Sequence, residues 1–234
     1  VANFLLEGEQ WIVYRGRIDY SLNGRHNLYA PEQRSLNGIF SGDKTVRRLA
    51  EKVLELSAGN VKQRVDLETM LARLEKREDL EGNRYWWCTE DLIQRRKGFY
   101  FLANLSSVRA AGPENARPFA EKNAYFGAGA TMILSSGSEY DHARGAWNMS
   151  ALPGTTAADK PVPYETTWIG FYGQNIYSGG VSDGRNGAAA FRYIRDGVRV
   201  KAQKAYFACD DTVAALGYLS ENAADAPVLT TLNQ

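Results

Sequence analysis

Cysteine is scarce in this 234-residue chain, which holds only Cys88 and Cys209. Two cysteines cannot build a disulfide framework or a zinc site of the CxxC…CxxC kind, and they leave open one bridge or two buried thiols. Histidine is equally rare. His26 and His142 stand alone, with no second His or Cys at ligand spacing, which argues against a histidine-based metal site. An excess of one charge is missing too: 28 Lys+Arg against 27 Asp+Glu leave a net charge of +1. Neither nucleic acid nor an anionic membrane is therefore an expected partner. The longest uncharged stretch, Thr166 to Ser182, is filled with Gly, Tyr, Asn and Gln and cannot span a bilayer. The chain opens on Val1 with no initiator Met and no charged region ahead of an apolar one, and it closes at Gln234 without a recognisable terminal element. A longer polypeptide is expected on both sides.

What is present is ordinary globular material, 44% hydrophobic and 24% charged, long enough for one large domain or two small ones. The composition changes near residue 83. Before it, residues 44–58 place Val46, Leu49, Val53, Leu54 and Leu56 at helical spacing between Asp43, a plausible N-cap, and Gly59. Residues 61–80 repeat the device with Val61, Val65, Leu67, Met70, Leu71 and Leu74. These predict two amphipathic helices joined by a tight turn. Beyond residue 83 the helical period gives way to short runs rich in Tyr, Phe, Trp, Val and Ile: 98–109, 125–135, 167–172, 187–194, 198–208 and 212–219. Asn186-Gly187 marks a hairpin turn, and strands recurring without helices between them predict antiparallel sheets packed face to face.

Several motifs fail on context. Gly180-Val-Ser182-Asp-Gly184 matches a nucleophile elbow, but the elbow needs a following helix and a later histidine, and both histidines precede Ser182. Gly127-Ala-Gly129 lacks the third Gly and the helix of a dinucleotide site. The Trp86-Trp87 pair could stack on sugars, although aromatics at the start of a sandwich are more often core. Glu114 and Glu121 flank a connecting stretch, Pro113 to Asn123, and could be the acid and base of a glycosidase or lie on a solvated loop. Residues 15–34 carry Arg15, Arg17, Arg25 and Arg34, opposed by Asp19 and Glu32. Four guanidiniums and His26 suit carboxylates or sulfates; a surface salt-bridge patch is the competing account. A non-catalytic glycan-binding sandwich is the alternative from outside the enzymes.

From Gly98 onward an ordered set of short motifs stands out. It runs Gly98-Phe-Tyr-Phe, Asn104-Leu-Ser-Ser-Val-Arg109, Gly127-Ala-Gly-Ala-Thr131, Trp147 and Leu152-Pro-Gly-Thr-Thr156. It continues with Gly179-Gly-Val-Ser-Asp-Gly184, Gly187-Ala-Ala-Ala190, Ala202-Gln-Lys-Ala-Tyr-Phe207, Asp210-Asp211, Leu216-Gly217 and Thr230-Thr-Leu-Asn-Gln234. This order resembles polysaccharide lyase family 8, whose members cleave hyaluronan, chondroitin and xanthan by β-elimination. Upstream, Asp19 and Gly24-Arg25 are similar to the family's arginine motif.

The resemblance implies a multi-domain α and β protein: the end of an α/α toroid over residues 1–83, then the first part of an antiparallel β-sandwich of the galactose-mutarotase-like super-sandwich type over 84–234. It implies an anionic polysaccharide substrate, the remaining N- and C-terminal portions of the same enzyme as partners, and a secreted or periplasmic bacterial setting. It calls for no cofactor and admits a structural divalent cation such as Ca2+, for which no ligands are identified. Among site residues it implies catalytic roles for Arg25 and for Glu114, which lies five residues after Arg109 as in the relatives; Glu121 is the rival placement. Arg17, His26, Tyr29 and Asn115 are the implied substrate-binding residues. The family's Asn, His and Tyr are expected upstream of Val1. Tyr29 stands where relatives acting on chondroitin AC and hyaluronan carry a second Arg, and Pro113-Glu114-Asn115 replaces a Tyr-Glu pattern. These departures point towards the chondroitinase ABC-like members.

Overall fold

The computed structural model describes residues 7–8, 10–15, 17–22, 43–56, 61–76, 79–112, 123–141, 146–161, 172–195 and 198–232. It begins with a small hairpin, β1 (Val13–Tyr14) and β2 (Arg17–Ile18), which pair antiparallel. Arg15 opens the connecting turn with φ of 47°, the positive value that tight hairpin turns require. Because strand side chains alternate, the two residues of β1 face opposite ways. Val13 joins Ala50, Leu67 and Met70 in one small apolar cluster, whereas Tyr14 belongs to the main core. The hairpin thereby links helices to sheets.

The helices are α1 (Asp43–Leu56) and α2 (Val61–Lys76), and they pack on each other as their spacing predicts. Val53, Leu54 and Leu71 flank the shared cluster. Leu56 and Val65 do not: both are exposed, so the apolar face is narrower than the sequence period suggests.

Two four-stranded antiparallel sheets follow. The first, in spatial order β3-β4-β5-β6, consists of Gly82–Trp86, Asp91–Arg96, Phe99–Asn104 and Ala130–Leu134. The second, in order β11-β10-β9-β8, consists of Thr212–Asn222, Val198–Cys209, Gly187–Arg195 and Ser178–Ser182. A short pair, β7 (Thr156–Ala158) with β12 (Val228–Thr230), adds a further antiparallel ladder. The sheets pack face to face. Phe101 of β5 and Tyr206 of β10 meet across the interface with ring centroids 6.3 Å apart. Gln94 of β4 donates to the carbonyl of Asp210 at 2.7 Å.

Burial separates the two sheets. In β10, Ala202, Lys204, Tyr206 and Ala208 are buried while Gln203 and Phe207 between them are exposed, the alternation of a sheet covered on one side. In β4 every residue from Asp91 to Arg95 is buried. The first sheet is covered on both sides, by the second sheet and by the N-terminal segment. Arg95 shows how. Its guanidinium donates to the carbonyls of Gln10, Trp11 and Val13 at 2.6, 3.2 and 2.8 Å. It also lies over the rings of Tyr14 and Tyr100.

Two sequence expectations are corrected. Cys88 and Cys209 are free and exposed, neither bridged nor buried. Trp86 packs against the core as expected of the Trp pair, but Trp87, the first residue of the turn into β4, is 79% exposed. Ser182 is a turn residue and not a nucleophile elbow: its hydroxyl donates to the Asn83 carbonyl and accepts from the Gly184 amide. Asn186-Gly187 does close a hairpin, β8–β9, with Gly184 supplying the positive φ of 90°.

Candidate active site

Arg25, His26, Tyr29, Glu114, Asn115 and Glu121 lie outside the described residues. What the structure describes is the framework on either side of them, and it has two nodes.

The first node leads towards Arg25. Asp19 follows β2 and is fully buried. Its amide donates to the Ile12 carbonyl at 2.9 Å. Its carboxylate accepts from the Ser21 amide at 2.8 Å and the Ser21 hydroxyl at 2.6 Å. A side chain that captures the backbone two residues on enforces a turn. That turn is the 3-10 segment Tyr20–Leu22, three residues short of Arg25. It sets Tyr20 in an aromatic cluster, 6.0 Å from Phe126, 6.4 Å from Tyr140 and 5.5 Å from Trp147 between centroids. Phe126 follows a second 3-10 segment, Asn123–Tyr125, the first described structure after Glu114 and Glu121. The stems of the two segments carrying Arg25 and Glu114 are thus packed together.

Around Asp19 lies a buried acid group. Asp91 at the start of β4 is desolvated, helped by donors from Thr89 and Asn104 but opposed by the charges of Asp19 and Glu90, and is pushed up to about 8. Burial also raises Asp19, against the hydrogen bonds from Ser21. Tyr100 lies against Asp19, and burial together with that charge holds its hydroxyl protonated. Nothing marked this group in the sequence except two adjacent acids, Glu90-Asp91, immediately before the apolar Leu92-Ile93.

The second node leads towards Glu114. Glu90 sits in the turn between β3 and β4 with φ of 60° and a fully buried carboxylate. Its Oε1 accepts from Ser107 Oγ at 2.5 Å and from Arg109 Nη2 at 2.9 Å. Arg109 also donates to the carbonyls of Ile176 at 3.1 Å and Ser178 at 2.7 Å.

Of the four N-terminal arginines, two are described, and each faces a carboxylate. Arg17, an implied substrate-binding residue, holds both oxygens of Asp141 through Nε at 3.3 Å, with Nη2 at 3.2 Å from Oδ2. Arg15 lies 3.7 Å from Asp79. Ion pairing describes both arginines. Among the described residues, no group of three or more His, Cys, Asp or Glu is placed to hold a metal ion, and no helix is long and apolar enough to cross a membrane.

The chain belongs to polysaccharide lyase family 8: the family's super-sandwich domain matches residues 81–234, more than half of the sequence. It is similar to Chondroitinase-AC of Pedobacter heparinus, with 32% identity over 151 residues, 64% of this chain and 21% of that protein. The fold is shared with a solved chondroitinase AC lyase, with a TM-score of 0.81, 22% identity and coverage of 99% of this chain and 33% of that one. It is also shared with the Streptomyces coelicolor A3 chondroitin AC lyase, with a TM-score of 0.75, 20% identity and coverage of 96% and 35%. For a Paenibacillus xanthan lyase the TM-score is 0.68 at 20% identity, covering 91% and 23%. The chain therefore spans about a fifth of the curated relative's length and about a third of the chondroitin lyase chains.

Proposed function

We infer that this chain is the junction region of a lyase that cleaves uronic-acid-containing glycosaminoglycans, chondroitin or dermatan sulfate or hyaluronan, by β-elimination. The family match over residues 81–234 carries the reading. The identity to Chondroitinase-AC and the packing of Tyr20 on Phe126 support it. On this reading residues 1–83 end an α/α toroid, with α1 and α2 as its last helices, and residues 84–234 open the central sandwich. The polysaccharide binds where the two meet, the other portions of the enzyme complete the site, and the enzyme works outside the bacterial cytoplasm.

The chemistry asks for these residue types. Elimination across C4–C5 of a uronate removes a weakly acidic proton α to a carboxylate and expels the glycosidic oxygen at C4. The carboxylate must be neutralised, C5 needs a base and the leaving oxygen an acid. Asn, His and Tyr supplied by the toroid do this work. Arg25, permanently cationic, stabilises the tyrosine as phenolate and holds charge developing on the uronate, and Glu114 joins it in orienting and polarising the proton-handling groups. His26, Tyr29 and Asn115 line the sugar path.

The test is incubation of the complete enzyme with chondroitin sulfate, dermatan sulfate and hyaluronan, following the ultraviolet absorbance of the new C4=C5 double bond. At least one polymer gives that absorbance on this reading. Cleavage without it would indicate a hydrolase.

A further inference from the structure

We propose that Glu90 and Arg109 act as a positioning pair for the acidic arm of the active site, holding the stem that delivers Glu114; the proposal rests on the catalytic reading of Glu114 given above.

Arg109 is a cross-link between three stretches of chain that are distant in sequence. Through Nη2 it reaches Glu90 at 2.9 Å, in the turn between β3 and β4. Through Nη1 and Nη2 it reaches the carbonyls of Ile176 and Ser178, at the entrance to β8. Its own backbone is fixed as well, the amide donating to Ser107 Oγ at 3.0 Å, and Ser107 Oγ in turn donates to Glu90. Around this core the stem is stitched by backbone bonds. Leu105 N donates to Glu90 O at 3.1 Å, Ser107 N to Ala110 O at 3.2 Å and Val108 N to Asn175 O at 3.0 Å. Ala111 bridges Tyr172. The stem ends at Gly112, two residues before Glu114.

Two features mark this as more than a surface ion pair. Glu90 is completely buried while Arg109 is half exposed, so a desolvated carboxylate depends on one guanidinium arriving from the rim. Glu90 also holds a left-handed backbone that a non-glycine residue adopts only when its surroundings over-determine it. A lysine at 109 keeps the charge but cannot span the carboxylate and two carbonyls at once, because its single ammonium lacks the planar fork. Loosening the stem moves Glu114 without removing any group that touches the sugar. Misplacement by about 1 Å of a group that works in the transition state costs up to about 10²-fold in rate.

The experiment uses the complete enzyme and four variants: Arg109→Lys, Glu90→Gln, Glu114→Gln and the double variant Arg109→Lys/Glu114→Gln. Steady-state kinetics on the best polymer are measured with thermal unfolding alongside. A positioning role predicts that Arg109→Lys and Glu90→Gln each lower kcat about 10- to 100-fold. KM should shift by less than about threefold in both. Because Arg109 acts through Glu114, the double variant should be no slower than Glu114→Gln alone. Parent-like kcat in a folded Arg109→Lys and Glu90→Gln, with Glu114→Gln crippled, overturns the pair while leaving the catalytic reading intact. So does a double variant whose losses multiply. A Glu114→Gln enzyme with parent kcat instead removes the reading on which the pair rests. If Glu90→Gln fails to fold, Arg109→Lys, altered at the exposed end of the pair, decides the matter alone.

Discussion

Asp91 is placed where a charge is least welcome: fully enclosed, beside Asp19 and Glu90, with its ionisation pushed up to about 8. The folded protein thus keeps a proton that the unfolded chain gives up near the ordinary aspartate value. Folded and unfolded states bind that proton equally below both values, and the contribution of Asp91 to stability is largest there. Stability then declines as pH rises through the window between them and levels off above about 8. Asp19, raised by burial in the same pocket, acts in the same direction. Asp91→Asn should flatten the decline and raise the melting temperature most at alkaline pH, read from thermal unfolding at a series of pH values. An unchanged profile would mean that Asp91 is ionised in the fold. For Arg25 the expectation is kinetic. Its stabilisation of phenolate and uronate charge is greater in the transition state than in the ground state, so Arg25→Ala should lower kcat about 10²–10³-fold with little change in KM. Arg25→Lys should recover only part, because a point charge cannot reproduce two-pronged contact. A folded Arg25→Ala enzyme with near-normal kcat would reduce Arg25 to a scaffold residue.

At the scale of elements, legibility follows exposure. Strand β10 was readable because one face meets solvent and Val198 to Gln203 alternate apolar and polar, and β9 from its apolar run and the Asn186-Gly187 turn before it. The central strand β4, Asp-Leu-Ile-Gln-Arg-Arg, was not. It is buried on both faces, and three of its buried positions carry Asp, Gln and Arg; the partners of Gln94 and Arg95, Asp210 and the stretch Gln10 to Val13, lie far away in the chain. β8 was hidden by Gly179 and Gly180, which read as loop. A Cβ at Gly180 would come 2.6 Å from the Tyr85 ring, so there the glycine marks close sheet packing. Gly129 is a sharper case. Its φ is +80°, and an added Cβ would lie 2.5 Å from the Tyr206 hydroxyl that donates to the Gly129 carbonyl. Gly129→Ala is expected to cost about 2–4 kcal/mol from left-handed strain and overpacking together. Gly98→Ala, with φ of +96° and open space around it, should cost only the strain, about 1–2 kcal/mol. Chemical denaturation of the two variants separates the terms; equal losses would contradict the packing argument.

For the whole molecule, the arrangement runs from helices through the β1–β2 hairpin to two stacked sheets, with an aromatic cluster joining the stems of the segments that carry Arg25 and Glu114. The candidate site was legible only through short motifs in family order, because its residues sit on connecting segments without periodicity. The supporting Glu90–Arg109 pair was not legible: its members are 19 residues apart, and the β4–β5 hairpin, which pairs Asp91 with Asn104, brings them together. On the proposed mechanism, which draws its Asn, His and Tyr from other parts of the enzyme, the 234-residue chain alone is expected to turn over no glycosaminoglycan; turnover by it would overturn that division of labour. The central claim, elimination rather than hydrolysis, is tested most directly by counting products of the complete enzyme acting on chondroitin sulfate, dermatan sulfate and hyaluronan. On every polymer that is cut, each new reducing end should be matched by one unsaturated uronate, growing together from the first turnover. New reducing ends without the double bond, or no cleavage of any of these uronic-acid polymers, would contradict the account.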